Sequence, residues 1–307
     1  MKAYVLTAYG GIEKFSLQEL PDPKAGPGQV RVRVEAIGIN PLEYKIRNGW
    51  LQQMMPLQFP AILGNEIAGT IDQVGEAVTT WKVGDKVLGF TTGGAYAEYS
   101  VTNADTLTQR PSALGVEQAV SLPIAAETVQ RVLALLSIQR GQTVLVNGAA
   151  GAVGSLAVQL LLRLGAKVIG TASPSNHEYL RSLGAVPVTY GPGLSDRLKA
   201  LVSEKISAAF DAAGRDFIKE ALTLAIEPSR IVTIVDFEAA SLGVQVTAAD
   251  FRAFTAAAIA PVVDLAAKGQ LITQVAQVFY FDQIPEAQIL SEKGHFRGKI
   301  VVRGVAQ

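Results

Sequence analysis

Single alternation of apolar and polar residues marks the first third of the chain, where Val30, Val32 and Val34 interleave with Arg31, Arg33 and Glu35. That period of two predicts a half-exposed antiparallel strand. Segments 68–75 and 85–90 read as further short strands closed by glycine-containing turns. Beyond residue 122 the texture changes to alternating strands and helices. Segment 142–147 is a β-branched, apolar run of the kind that forms a buried parallel strand. Val153, Leu156, Ala157, Leu160, Leu161 and Leu164 then recur at helical spacing, and Gly165 is placed to stop the helix. Strands over 167–171, 186–190, 208–213 and 231–235, with helices over 177–183 and 195–203, continue the alternation. The pattern predicts an α/β chain: a β-rich domain over 1–122, a doubly wound parallel sheet over 123–247, and a tail over 248–307 that returns to the first domain. Within that tail, 251–267 and 284–292 read as helices and 298–302 as a strand. No internal repeat, low-complexity tract or long linker interrupts the chain.

The stretch Gly148-Ala149-Ala150-Gly151-Ala152-Val153-Gly154 lies between the strand over 142–147 and the helix that follows. A glycine-rich turn at this place in a βαβ unit brings backbone amides close to a dinucleotide pyrophosphate, whose charge the free amides of the helix start stabilise. Ala150, Gly151, Ala152, Val153 and Gly154 are therefore candidate cofactor contacts, with Ala149 standing where the usual pattern has its first glycine.

An acidic residue is expected about 20 positions further on, to hold a bare adenosine ribose. Here the second strand runs instead into Thr171-Ala172-Ser173-Pro174-Ser175-Asn176-His177, which is neutral and rich in hydroxyls and amides. Nothing in it repels a 2′-phosphate, which points to NADPH rather than NADH. Ser173 and Asn176 are the candidate phosphate ligands, with His177 a weaker one.

Charge and composition narrow the function classes. Twenty-seven basic and 27 acidic residues balance, leaving no electrostatic footprint for nucleic acid or an anionic membrane. No apolar run is expected to reach the roughly 20 residues that span a bilayer, since 156–164 is short and Arg163 interrupts it. Met1-Lys2-Ala3-Tyr4-Val5 reads as a strand rather than a secretion signal, so the cytoplasm is the expected location. The absence of cysteine excludes disulfides and thiol catalysis.

Several motifs, in order along the chain, carry a specific resemblance. Gly64-Asn65-Glu66-Ile67-Ala68-Gly69 with the following Thr70-Ile71-Asp72-Gln73-Val74-Gly75, then Val83-Gly84-Asp85-Lys86-Val87, closely resemble the pattern of medium-chain dehydrogenases/reductases. Ile39-Asn40-Pro41-Leu42-Glu43-Tyr44-Lys45 is similar to the Asn-Pro segment of their zinc-independent, zeta-crystallin-like quinone oxidoreductase branch. Ala95-Tyr96-Ala97-Glu98-Tyr99 and the terminal Arg297-Gly298-Lys299-Ile300-Val301 also match, so the resemblance covers nearly the whole chain. It implies a GroES-like catalytic domain, a Rossmann domain, and hydride transfer from NADPH in the cleft between them.

Where zinc-dependent relatives carry a ligand cysteine this chain has Asn40, and where they carry histidine before the glutamate it has Asn65. A neutral amide is a poor replacement for thiolate or imidazole on Zn²⁺, and only His177 and His295 remain, so no metal site is expected. Without a Lewis acid, the acceptor must delocalise the incoming electrons, as quinones and α,β-unsaturated carbonyls do. The resemblance places Asn40, Tyr44 and Lys45 at the substrate, as donors to the developing oxyanion. Each also has a structural alternative: Asn40 as a turn cap, Tyr44 in a core, Lys45 in solvent. The same resemblance sets Thr128 near the nicotinamide, Tyr190 near the adenosine phosphate, and Arg297 and Lys299 as cofactor contacts from the last strand or parts of a solvated turn.

The resulting expectation is an NADPH-dependent, zinc-independent reductase of small-molecule quinones or enones. Two alternatives stay open: an enoyl reductase of a carrier-bound or biosynthetic intermediate, and a non-catalytic NADPH-binding structural or regulatory protein. Relatives commonly pair Rossmann domains edge to edge, so a homodimer is expected, with the edge supplied by 229–235 or 243–247.

Overall fold

The computed structural model describes residues 1–248 and 254–305. The chain forms two compact units, Met1–Ile124 with Asp250–Gln307, and Ala125–Ala249. The crossings fall at 124/125 and 249/250, against the 122/123 and 247/248 expected from the pattern. In chain order the first unit contains β1 (Lys2–Leu6), β2 (Phe15–Glu19), β3 (Gln29–Ile39), α1 (Pro41–Arg47), β4 (Ala61–Ile62), β5 (Glu66–Val74), β6 (Lys86–Phe90), β7 (Tyr99–Asn103), β8 (Leu107–Gln109) and α2 (Val116–Val120). Helix α3 (Pro123–Leu136) leads into the second unit, with β9 (Thr143–Asn147), α4 (Ala152–Arg163), β10 (Lys167–Thr171), α5 (His177–Leu183) and β11 (Val186–Val188). It continues through α6 (Leu194–Leu201), β12 (Ile206–Asp211), α7 (Phe217–Leu222), β13 (Ile231–Thr233) and β14 (Gln245–Val246). The first unit is completed by α8 (Ala256–Ala267), β15 (Val275–Tyr280), α9 (Ile284–Lys293) and β16 (Lys299–Arg303). Of the helix expected over 251–267, residues 251–253 lie outside the described residues.

The first unit is organised around β3. Its valines at 30, 32 and 34 are fully buried while the interleaved charges are half-exposed, as the alternation predicted. Each such valine stabilises the fold by about 1.5–3 kcal/mol relative to an exposed one. One edge of β3 pairs with β5 along most of its length. The other edge is shared: β7 pairs with residues 29–33 and β16 with residues 36–39. The closing strand thus lies beside the stretch of β3 that leads into Asn40 and α1. Ile37, Ile39, Ile67, Ile300, Val302 and Tyr96 belong to one buried cluster there.

The second unit is an all-parallel sheet in the order β11-β10-β9-β12-β13-β14. Counted within the unit, this is the 3-2-1-4-5-6 order of doubly wound dinucleotide-binding sheets, with its reversal between β9 and β12. Strand β13 is internal to the order, so of the two candidate segments it is 243–247 and not 229–235 that lies at an end of the sheet among the described residues.

One expectation needs correction. Val116–Leu136 is long and apolar enough by length and composition to cross a bilayer, with 67% of its window buried inside the protein. Pro123 separates α2 from α3 within it.

Candidate active site

In the second unit, β9 ends at Asn147 and α4 begins at Ala152, with Gly151 as its N-cap. Gly148 holds φ +74°, in the left-handed region that side chains disfavour. A Cβ on Gly154 would fall 2.2 Å from the Gly148 carbonyl oxygen, so close packing of helix on turn requires glycine. A Cβ on Gly151 would meet only that same oxygen, at 3.4 Å, which leaves its outer face open to a pyrophosphate. Ala149 is accommodated by a compensating glycine: a Cβ on Gly170 of β10 would lie 2.7 Å from the Ala149 methyl. The turn therefore keeps its dinucleotide-binding shape despite the missing first glycine.

After β10 the neutral segment folds into a small hydroxyl cluster. Asn176 Nδ2 donates to Ser173 Oγ at 3.1 Å, and Ser173 Oγ lies 3.0 Å from Ser175 Oγ. Ser175 is exposed and Ser173 and Asn176 half-buried. His177 Nε2 contacts Thr189 Oγ1 at 3.5 Å. The Arg215 guanidinium sits 5.0 Å from the Tyr190 ring centroid. Both line a cavity of about 140 Å³ together with Asn147 and Asp216. Thr128 is buried on α3.

The first unit gathers a set of buried charges. Asn40, 8% exposed, precedes α1, and Glu43 caps the helix by accepting from the Asn40 backbone N–H at 2.7 Å. Asn40 Nδ2 donates to Glu66 Oε1 at 2.9 Å and to Glu43 Oε1 at 3.2 Å. Asn40 Oδ1 accepts from Lys299 Nζ at 2.5 Å, and Lys299 also forms an ion pair with Glu66. Glu66 is fully buried, and its second oxygen accepts from the Ile124 backbone N–H at 2.9 Å. Gly38 admits that carboxylate, because a Cβ there would lie 2.2 Å from Glu66 Oε1. Glu43 also accepts from Tyr96 Oη at 2.8 Å, and Tyr96 Oη accepts from Gln288 Nε2 of α9 at 2.7 Å. Burial, only partly offset by the Asn40 backbone N–H and the Lys299 charge, pushes the Glu43 carboxyl up to about 7. Burial, and then the Glu43 charge, pushes the Tyr96 hydroxyl well above its usual range.

Two sequence expectations change here. Lys299 is not a solvated lysine; its side chain is 4% exposed and bonded to Asn40 and Glu66. Arg297, two residues earlier, is exposed. Both donors of Asn40 already point at carboxylates, so offering one to a substrate oxyanion would break a buried charge-assisted bond. Tyr44 and Lys45 are in a different position. Both are half-buried on α1, and Tyr44 packs edge-on to Trp50 at 5.9 Å. Burial raises the Tyr44 hydroxyl above its usual range, aided by Glu292, and lowers the Lys45 ammonium. Glu43, Tyr96 and Gln288 were not among the sequence candidates. Asn40-Pro41-Leu42-Glu43 does carry a capping pattern that marks Glu43. Gln288 has no such local signal.

Among the described residues no group of three or more His, Cys, Asp or Glu side chains is arranged to hold a metal. An ammonium beside Glu66 would also repel a divalent cation there. The backbone carbonyl of Asn65 accepts from the Thr91 N–H at 2.9 Å.

Residues 26–112 match the alcohol dehydrogenase GroES-like domain, and residues 183–302 match a domain described as zinc-binding dehydrogenase. A quinone oxidoreductase of Pseudomonas aeruginosa is 34% identical over 223 residues, covering 70% of this chain and 67% of the relative. A chloroplastic NADPH-dependent alkenal/one oxidoreductase of Arabidopsis thaliana is 29% identical, covering 98% of this chain and 79% of the relative. Among solved structures, a mycobacterial protein in complex with NADPH superposes with a TM-score of 0.86 at 25% identity, covering 99% of this chain and 100% of that one.

Proposed function

Because the chain belongs to the quinone oxidoreductase family of medium-chain dehydrogenases/reductases, we propose that it is an NADPH-dependent, metal-independent reductase of quinones or α,β-unsaturated carbonyls. The observation that carries this reading is the Lys299 ammonium held between Asn40 and Glu66, in a set of residues that does not suit zinc. Without a Lewis acid, the acceptor must spread the incoming charge onto a conjugated oxygen. NADPH, when bound, supplies the hydride. The open backbone at Gly151 and the amides at the start of α4 suit its pyrophosphate, and Ser173, Ser175 and Asn176 offer neutral donors to its 2′-phosphate.

In the first unit, Tyr44 and Lys45 are the donors for the developing oxyanion. Burial has already weakened the hold of Lys45 on its proton, which favours proton delivery to a reduced acceptor. Asn40 keeps α1, and hence both donors, in register through the bonds of its cap. The test is NADPH oxidation by the purified protein against a panel of quinones, enones and enoyl thioesters, before and after exhaustive chelation. Turnover of quinones or enones that survives chelation is the expected result. Turnover of enoyl thioesters alone would replace this reading with a biosynthetic one, and NADPH binding without any turnover would make the protein non-catalytic.

A further inference from the structure

Four adjacent strands of the second unit end in polar residues whose side chains are buried. They are Thr171 of β10, Asn147 of β9, Asp211 of β12 and Thr233 of β13, in that spatial order. Three are fully buried and Asn147 is 4% exposed. Hydrogen bonds connect them into one row. The Gly148 backbone N–H donates to Thr171 Oγ1 at 3.1 Å, and Thr171 Oγ1 donates to Asn147 Oδ1 at 2.6 Å. Asn147 Nδ2 donates to Asp211 Oδ1 at 2.8 Å, and Thr233 Oγ1 donates to Asp211 Oδ2 at 2.9 Å.

Asp211 is the hub. Its Oδ1 also accepts from the backbone N–H groups of Ala213 and Gly214, at 3.1 and 2.8 Å. Thr233 Oγ1 in turn accepts from Val235 N–H and Asp236 N–H, at 3.2 and 3.1 Å. An ionised carboxylate is acceptor-only, so it sets the direction of every dipole in the row. Among the described residues its hydrogen-bond partners are N–H and O–H groups and none is a cation. Three loops at the carboxyl ends of the strands, after β9, β12 and β13, are thereby tied to one buried group. The first of them is the glycine-rich turn, at the reversal of strand order where such sheets bind dinucleotides.

We infer that Asp211 is a positioning residue for the dinucleotide: through Asn147 and Thr171 it aims the Gly148 amide and so sets the shape of the glycine-rich turn. The role rests on the reading of the second unit as the cofactor-binding one. It involves no contact with the cofactor, because Asp211 has no exposed surface. An asparagine at 211 would present an N–H₂ group to Thr233 Oγ1, which already accepts two N–H groups, and the row would lose its common acceptor. Thr171→Val is milder, cutting only the link between Gly148 and Asn147 in a side chain of nearly the same shape.

The test measures NADPH affinity by fluorescence titration, the urea midpoint, and the Gly148 amide resonance in a ¹⁵N-labelled sample. Thr171→Val is expected to weaken NADPH binding about tenfold and to shift the Gly148 resonance, with KM for NADPH rising several times more than kcat falls. Asp211→Asn is expected to weaken binding at least as much, and the double variant to bind no worse than Asp211→Asn alone. Wild-type affinity in Thr171→Val, or full additivity in the double variant, would overturn the inference while leaving the cofactor assignment intact. If Asp211→Asn does not fold, Thr171→Val decides alone. A parent protein that binds no pyridine dinucleotide would remove the cofactor assignment and the inference together.

Discussion

Lys299 Nζ donates to Asn40 Oδ1 at 2.5 Å, joining the first residue of the closing strand to the residue that precedes α1. Two buried carboxylates, Glu43 and Glu66, take the amide hydrogens of the same asparagine. The start of α1 is therefore held by charges from three parts of the chain, and the helix carries Tyr44 and Lys45 with it.

Burial places the Glu43 carboxyl at about 7, against an unfolded value of about 4.3. The folded state binds this proton more tightly than the unfolded state. Its contribution is fully present below about pH 4, is lost as pH rises through about 7, and totals on the order of 3 kcal/mol. Glu43→Gln imitates the protonated form and does not titrate. Urea midpoints measured from pH 4.5 to 8 should show the wild type losing stability relative to Glu43→Gln over that interval. A difference that stays constant with pH would refute the assignment.

Removing one partner of the buried ion pair leaves the other uncompensated. Lys299→Met should cost about 3–5 kcal/mol of unfolding free energy. Lys299→Met combined with Glu66→Gln should recover part of that loss, because no bare charge remains. Urea denaturation of the single and double variants measures the coupling, and a Lys299→Met protein as stable as the parent would contradict the buried pairing.

The neutral cluster after β10 should set cofactor preference. Ser173→Asp introduces a carboxylate that repels a 2′-phosphate and accepts from a free ribose hydroxyl. NADPH binding should weaken by tenfold or more while NADH binding is kept or improved. Parallel calorimetric titrations of both nucleotides check this, and an unchanged ratio would move the 2′-phosphate away from Ser173.

Tyr44→Phe or Lys45→Ala should lower turnover more than either weakens NADPH binding. Loss of a preorganised donor costs about 3–4 kcal/mol of transition-state stabilisation in a dry site and less in a wet one. Asn40→Ala should differ in kind, lowering the urea midpoint because two carboxylates and an ammonium lose their shared partner. Steady-state kinetics beside denaturation curves separate the two behaviours. Parental rates in both Tyr44→Phe and Lys45→Ala would place the donors elsewhere.

Strand β14 ends the sheet order of the second unit, and its outer edge, unpaired among the described residues, is suited to pairing with a second copy. Light scattering should give twice the chain mass at working concentrations, and a lysine or proline at Val246 should shift the population to monomer. A monomeric mass for the parent would rule this interface out.

The sequence by itself determined whatever is encoded locally. The alternation of Val30, Val32 and Val34 is enough to define β3, because a strand repeats every two residues. Likewise, the order of apolar segments and turns from 142 to 171 defines a βαβ unit around Gly151 and Gly154. Only the tertiary structure decided what the polar side chains do. Lys299 looks the same in sequence whether it is solvated or buried, and its partner Asn40 is 259 positions away. Gln288 and Tyr96 are separated by 192 positions. The substitution of Ala149 for glycine becomes intelligible only when β10 brings Gly170 against it. Period and propensity act over one or two turns of chain, whereas the cost of burying a charge is settled by whichever distant group the fold brings to meet it.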